Sequence, residues 1–153
     1  MAALKDRLRG DLTAAMKARD QVRVRTLRMA LTSVTREEVA GKSARDLSDD
    51  EVIQVLTREA KRRREAADAF AAAGREEQAA AELAEGAVLD AYLPAQLNDG
   101  ELGALVAAAI EETGADSPRS LGQVMKVLTP QVAGRAEGAR VAAEVRRQLG
   151  GQA

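Results

Sequence analysis

The sequence lacks cysteine, histidine and tryptophan, and its only aromatic residues are Phe70 and Tyr92. Without cysteine the chain can form no disulfide bond, thiolate nucleophile or thiolate-ligated metal centre. Without histidine it lacks the side chain that most often serves as general base or metal ligand near neutral pH. Two aromatic residues are too few to stack the bases of a single-stranded nucleic acid. We therefore expect no metal and no cofactor.

The chain is 153 residues long, and its formal net charge is −1. It has no overall basic field, so nucleic-acid binding would require a local basic patch. No apolar run approaches 18 residues, and the amino terminus leads directly into charged residues. We therefore expect a cytoplasmic protein without a membrane partner.

Helical periodicity covers most of the chain, and strand alternation is not convincing anywhere. Asp20, the pair Ser48 and Glu51, and the segment 98–101 are typical helix starts. Pro94 disfavours helix at the residue before it, which indicates a boundary there. The sequence thus predicts an all-α protein with a four-helix domain in residues 1–93 and a compact three-helix domain in residues 94–153.

Several details of the helices follow from the same patterns. We expect Met16 on the inner face of the first helix and Gly41 as a left-handed end of the second. Ser117 followed by Pro118 is typical of an N-cap with proline at the first helical position. Pro130 is expected to interrupt the helix that follows.

A row of polar residues marks the second helix. Arg25, Arg28, Thr32 and Arg36 are spaced so that they share the face opposite the apolar positions. Such a face could contact the phosphates of a nucleic acid. It could equally be an ordinary solvated helix surface.

The third helix contains an arginine on its inner face. Arg63 shares helical positions with apolar residues, so its charge requires a partner. Glu59 one turn earlier, or Glu82 and Glu85 on the following helix, could supply one. The cluster is either an ion pair that holds a helical hairpin or a polar pocket between two helices. Glu82 and Glu85 could serve acid–base chemistry or a hard metal, but no third ligand or nucleophile is identifiable.

A glycine-bounded loop precedes the last helix. Gly134, Arg135 and Gly138 place backbone N–H groups and a cation at a helix start, which favours anions. The loop could also be a simple turn between helices. Lys126 and Arg140 are further candidates for phosphate contacts in this half of the chain. No phosphate-binding loop, dinucleotide fingerprint or serine-nucleophile motif is present.

These residues belong to an ordered set of short motifs spanning nearly the whole chain. The set resembles that of the GatB/YqeY family of small bacterial proteins. It consists of Arg25-Thr-Leu-Arg28, Lys61-x-Arg63-x-Glu65 with Phe70, Gly74-Arg75, Glu82-x-x-Glu85 with Leu89, Tyr92-Leu-Pro94-x-Gln96-Leu97, Gly122-x-Val-Met125, and the stretch from Pro130 to Gly138. Two positions depart from the family pattern: Asn98 stands where serine or threonine is frequent, and Gly100 where an acidic residue is common.

The resemblance implies similarity to the tail of the B subunit of the glutamine-dependent aspartyl/glutamyl-tRNA amidotransferase. For the GatB/YqeY family the resemblance thus implies classification as a carbon–nitrogen ligase with glutamine as amido-N-donor. In the amidotransferase the tail is associated with tRNA, and the activation and glutaminase sites lie elsewhere. The present sequence shows no phosphate-activation motif and no amidase serine signature, so no catalytic residue is identifiable.

Three functional hypotheses follow. The first is a non-catalytic accessory module that binds tRNA or a tRNA-processing protein complex through residues 94–153, chiefly with Lys126, Arg135 and Arg140. Arg25 and Arg28 are secondary contacts in this hypothesis. The second is a helical protein–protein adaptor without RNA affinity, and the third is an amide-transfer enzyme acting alone.

Overall fold

A computed structural model describes residues 3–150 of the chain. These residues form seven α-helices and one 3₁₀ turn, and none of them forms a β-strand, which confirms the predicted all-α class. The chain divides into two compact units, one ending at Leu93 and the other beginning at Pro94. Each unit has a hydrophobic core of its own.

The first unit contains four helices: α1 (Ala3–Ala18), α2 (Gln21–Glu38), α3 (Asp49–Ala72) and α4 (Glu76–Asp90). Leu8, Leu27, Val52, Leu56 and Leu89 are among the residues that fill its core. Helices α3 and α4 form a hairpin that turns at Gly74, whose φ of +75° lies in the left-handed region that glycine adopts without strain.

The predicted helix starts of the first unit are confirmed. Asp20 accepts a hydrogen bond from the backbone N–H of Arg23 and caps α2. Ser48 and Glu51 form a complete capping box at the start of α3, each side chain accepting from the other residue's backbone N–H. These contacts satisfy N–H groups that a helix leaves without an internal partner.

Two expectations for the first unit are wrong. Met16 is 51% exposed, because the core face of α1 is centred on Leu8 and Ala15, and Met16 is turned about 100° from Ala15. Gly41 does not have a positive φ and does not end α2. The helix ends at Glu38, whose carbonyl accepts the backbone N–H of Arg45 instead of continuing the helical ladder.

The second unit contains α5 (Asp99–Thr113), a 3₁₀ turn (Pro118–Ser120), α6 (Leu121–Val132) and α7 (Gly138–Gly150). Asn98 and Glu101 form the capping box that begins α5. Gly114 ends the helix with a φ of +67°, as its sequence position predicts. The core is assembled from all three helices and includes Val106, Leu128 and Val145.

One expectation for the second unit is confirmed only in part, and another is wrong. Ser117 and Pro118 do occupy the N-cap and first positions, but of a 3₁₀ turn closed by the Ser120 N–H on the Ser117 carbonyl, and the Ser117 side chain makes no capping hydrogen bond. Pro130 does not interrupt α6, which continues to Val132. A proline in the last turn costs one backbone hydrogen bond, and burial of Val132 at 5% exposure offsets part of that cost.

Candidate functional site

Arg63 lies at the centre of a buried polar cluster between α3 and α4. Its side chain is 8% exposed, and its Nε atom lies 3.1 Å from Glu85 Oε2 and 3.7 Å from Glu82 Oε2. Its Nη2 atom lies 3.8 Å from Glu59 Oε2 on its own helix. The structure thus brings Arg63, Glu82 and Glu85 together, with Glu59 as a fourth member.

Arg25 joins this cluster from α2. Its Nε donates to Glu85 Oε1 at 2.9 Å, while Glu85 Oε2 faces Arg63. Glu85 is 8% exposed, so its carboxylate is compensated by two guanidinium groups rather than by water. Arg25 therefore ties α2 to the α3–α4 hairpin, and its Nε donor is engaged by Glu85.

Gly86 lies on α4 beside Arg63 of this cluster. A Cβ atom at position 86 would lie 3.7 Å from the Cβ atom of Arg63, at ordinary van der Waals distance, so the approach of α4 to α3 does not require glycine here. The arrangement is chemically an ion-pair network. Arg63 Nε and Glu82 Oε2 are buried without a well-oriented hydrogen bond, so the contacts between them are electrostatic.

Arg28 has a different environment. It is exposed on α2, and its Nη2 atom lies 3.9 Å from the sulfur of Met16. No carboxylate in the described part of the chain pairs with it. Arg28 therefore has no carboxylate partner among the described residues, whereas Arg25 uses its Nε on Glu85.

The loop before α7 is held in place by the chain that follows Pro94. The backbone N–H of Leu97 donates to the Arg135 carbonyl at 2.9 Å, and the Gln96 side chain donates to the Gly134 carbonyl at 2.9 Å. Gly134 has a φ of +74° and turns the chain out of α6. The loop backbone, ending at Gly138 where α7 begins, is therefore ordered by the protein itself.

Arg140 is one of the residues that hold this arrangement. Its guanidinium donates to the Leu97 carbonyl and to Asp99 Oδ1, both at 2.8 Å. Lys126 is exposed on α6 and Arg135 is partly exposed in the loop. Within residues 3–150 neither Lys126 nor Arg135 has an ion-pair partner, so both charges are available to an anion.

Tyr92, the buried aromatic residue after α4, donates its hydroxyl to Asp11, and Arg7 lies over its ring at 4.6 Å from the centroid. Burial raises the pKa of Tyr92, and the Asp11 carboxylate raises it further. Phe70 is half-buried on α3. Tyr92 is therefore occupied by contacts within its own unit.

A metal site and a membrane-spanning helix are both absent from the residues that the structure describes. No group of three or more acidic side chains is placed to hold a metal ion. No helix among residues 3–150 combines the length and the hydrophobicity required to cross a lipid bilayer.

The family model described as Yqey-like protein matches residues 5–149. The chain belongs to the YqeY-like family. This membership confirms the prediction made from the ordered motifs. No curated protein matches the chain.

Proposed function

We propose that this YqeY-like protein is a non-catalytic accessory module that binds tRNA with its second unit, through Lys126 and Arg135. The observation that carries the proposal is the loop of residues 134–138. Its backbone is fixed by hydrogen bonds from Gln96 and Leu97, and the cation of Arg135 is unpaired among the described residues. A fixed loop with a free guanidinium binds a phosphate without first paying the entropy of ordering the chain.

The likeness of the family to the tail of the amidotransferase B subunit supports tRNA as the partner. Recognition would proceed by shape and phosphate contacts, because the chain offers almost no aromatic surface for splayed bases. Among the cations of the second unit, Lys126 and Arg135 are the main candidates for phosphate contacts. Arg140 is engaged by Leu97 and Asp99 and acts by supporting the loop.

The test is binding of unmodified tRNA to the full chain, measured over a series of salt concentrations. We expect the double variant Lys126→Gln/Arg135→Gln to lower the slope of log affinity against log salt by about 1 to 2, because two phosphate contacts are lost. Arg146→Gln is the matched control, since Arg146 is exposed on α7 and forms no ion pair within residues 3–150. An unchanged slope in the double variant would reject this surface.

Two further outcomes separate this proposal from its alternatives. Absence of any tRNA affinity, with protein partners retained from a nuclease-treated lysate, would favour the helical adaptor. Glutamate formation by the purified chain from glutamine, ATP and misacylated tRNA would show an amide-transfer enzyme. We expect no such activity, because the cluster carboxylates Glu82 and Glu85 are directed at Arg63.

A further inference from the structure

A groove between α2 and α3 carries more positive than negative charge. It contains a cavity of about 240 Å³ lined by Ser33, Arg36, Glu37, Arg58, Glu59 and Arg62. A second cavity of about 230 Å³ shares four of these residues and adds Arg28, Met29 and Thr32. The two cavities therefore lie side by side, and together they are called the α2–α3 groove below.

The walls of the α2–α3 groove hold four arginines and two glutamates. Arg28 and Arg36 come from α2, and Arg58 and Arg62 come from α3. None of the carboxylates within residues 3–150 forms an ion pair with Arg28 or Arg36. Because the helix rises 1.5 Å per residue, these two side chains leave α2 about 12 Å apart along its axis.

The carboxylate at the floor of the groove is already compensated. Glu59 accepts a hydrogen bond from Ser33 Oγ at 3.0 Å, and it lies 3.8 Å from Arg63 on the side of the buried cluster. Its contact with Arg62, at 3.5 Å, is therefore one of several. A ligand anion can replace Glu59 as the ion-pair partner of Arg62 without leaving the Glu59 carboxylate buried and unpaired.

The α3 arginines retain most of their hydrogen-bonding capacity. Arg62 and Arg58 have side chains 65% and 63% exposed, and each reaches its glutamate at 3.5 Å. A guanidinium carries five N–H donors, so one long contact leaves the others free. Arg36 and Arg62 line both cavities and are the central pair of the groove.

The chemistry of the groove fits phosphate groups presented along a chain. Planar guanidinium forks bind phosphate oxygens in pairs, and here they occur on both walls. Phe70 and Tyr92 are not among the lining residues, so the groove offers no ring on which a base would stack. A row of cations without a stacking surface suits a backbone that runs along it rather than a single nucleotide.

We propose that the α2–α3 groove binds the phosphates of an RNA backbone, with Arg36 and Arg62 at its centre. The groove lies in the first unit and uses none of the residues assigned to RNA in the second. The proposal depends on the proposed RNA association for its ligand, but its residues and its test are separate.

The experiment compares the full-length wild type with Arg36→Gln and with Arg36→Gln/Arg62→Gln, using tRNA binding over a salt series. We expect the double variant to weaken binding about tenfold at moderate salt and to lower the salt slope by about 1 to 2. The single variant guards against a folding artefact, because Arg36 has no ion pair among residues 3–150 that its replacement would break. Lys17→Gln removes one exposed charge from α1 in the same unit and is expected to leave the slope nearly unchanged.

A second arm titrates inorganic phosphate while the Nε–H signals of the arginines are followed by NMR. Saturable shifts at Arg36 and Arg62, together with the loss of RNA affinity in their variants, support the proposal. Arginine chemical shifts that change on addition of phosphate, without any effect of the variants on RNA affinity, would overturn RNA as the ligand. An acidic peptide that displaces RNA and binds more tightly would overturn it as well.

The outcomes for the two surfaces are distinguishable. Loss of affinity only in Lys126→Gln/Arg135→Gln would uphold the proposed function and reject the groove. Loss only in the Arg36 and Arg62 variants would uphold the groove and reject the second-unit surface. If the wild type binds no RNA, both the proposed function and the groove's RNA ligand are rejected.

Discussion

Lys5 and Glu38 form an ion pair in the first unit, and both residues are more than nine-tenths buried. Lys5 Nζ lies 2.7 Å from Glu38 Oε1 and 2.8 Å from Oε2, and the backbone N–H of Leu47 donates to Glu38 Oε2 at 3.3 Å. The hydrogen bond from Lys5 holds the pKa of Glu38 below its usual value, despite the opposing effect of burial. The pair joins α1 to the end of α2.

At the residue scale we expect Glu38→Gln to destabilise the first unit by about 3 kcal/mol, because it leaves the Lys5 ammonium buried without its counter-charge. Glu37→Gln is the control, since the neighbouring Glu37 is 44% exposed and reaches Arg58 only at 3.5 Å. We expect it to cost less than about 1 kcal/mol. Hydrogen exchange of core amides in the first unit measures both values, and equal costs would contradict the assigned role of the pair.

At the scale of elements, the helix ends show which glycines hold a backbone conformation that would strain any other residue. Gly114 has a left-handed φ and ends α5, whereas Gly41 follows α2 without a positive φ. A Cβ atom would meet nothing within 4 Å at Gly114 and only the Ser43 carbonyl, at 3.9 Å, at Gly41. The two sites therefore differ in backbone conformation and not in available space.

We expect Gly114→Ala to destabilise the second unit by about 1–2 kcal/mol, which is the cost of a left-handed conformation for a residue with a Cβ atom. Gly41→Ala is the matched substitution and is expected to change stability by less than about 0.5 kcal/mol. Urea denaturation monitored by circular dichroism compares the two. A cost at position 41 as large as that at position 114 would show that φ does not account for the difference.

At the scale of the whole molecule, acidic side chains held by cations set the response to pH. Arg45 and the capping contact at Ser48 lower the pKa of Glu51 to about 2. Arg147, with help from Gln148, lowers the pKa of Glu144 to about 2. Both groups are ionised in the native state at pH values where the unfolded chain, with glutamate near 4.3, already binds protons.

The sign of the pH dependence follows from these lowered values. The stabilisation is fully present above about pH 5 and is lost as pH falls from the unfolded pKa towards 2. We expect the free energy of unfolding to decrease between pH 5 and pH 2, and added salt to reduce the effect because the arginine of each pair is more than half exposed. Carboxyl NMR titration checks the assignment, since Arg147→Gln should return Glu144 towards 4.3 and leave Glu51 near 2.

The local features of the fold could be read from the sequence because they depend on a few neighbouring residues. The capping boxes at Ser48 and Asn98 and the stop at Gly114 need only side chains and backbone within one turn. The family could be recognised from ordered motifs for a similar reason, since those motifs keep their spacing along the chain. Local spacing does not predict the ends of α2 and α6, because the Arg45 N–H on the Glu38 carbonyl and the burial of Val132 involve residues outside one turn.

The helical class, most helix starts, the family and the scarcity of reactive side chains all follow from composition and short-range spacing. Which charges are available depends on the packing of the helices. It engages Arg25 with Glu85 and Arg140 with Asp99, and it buries Lys5 against Glu38 across 33 positions of sequence. It also forms the α2–α3 groove from arginines on two helices. The free or paired state of a charge depends on packing between helices, and that packing is not encoded in the spacing of any one of them.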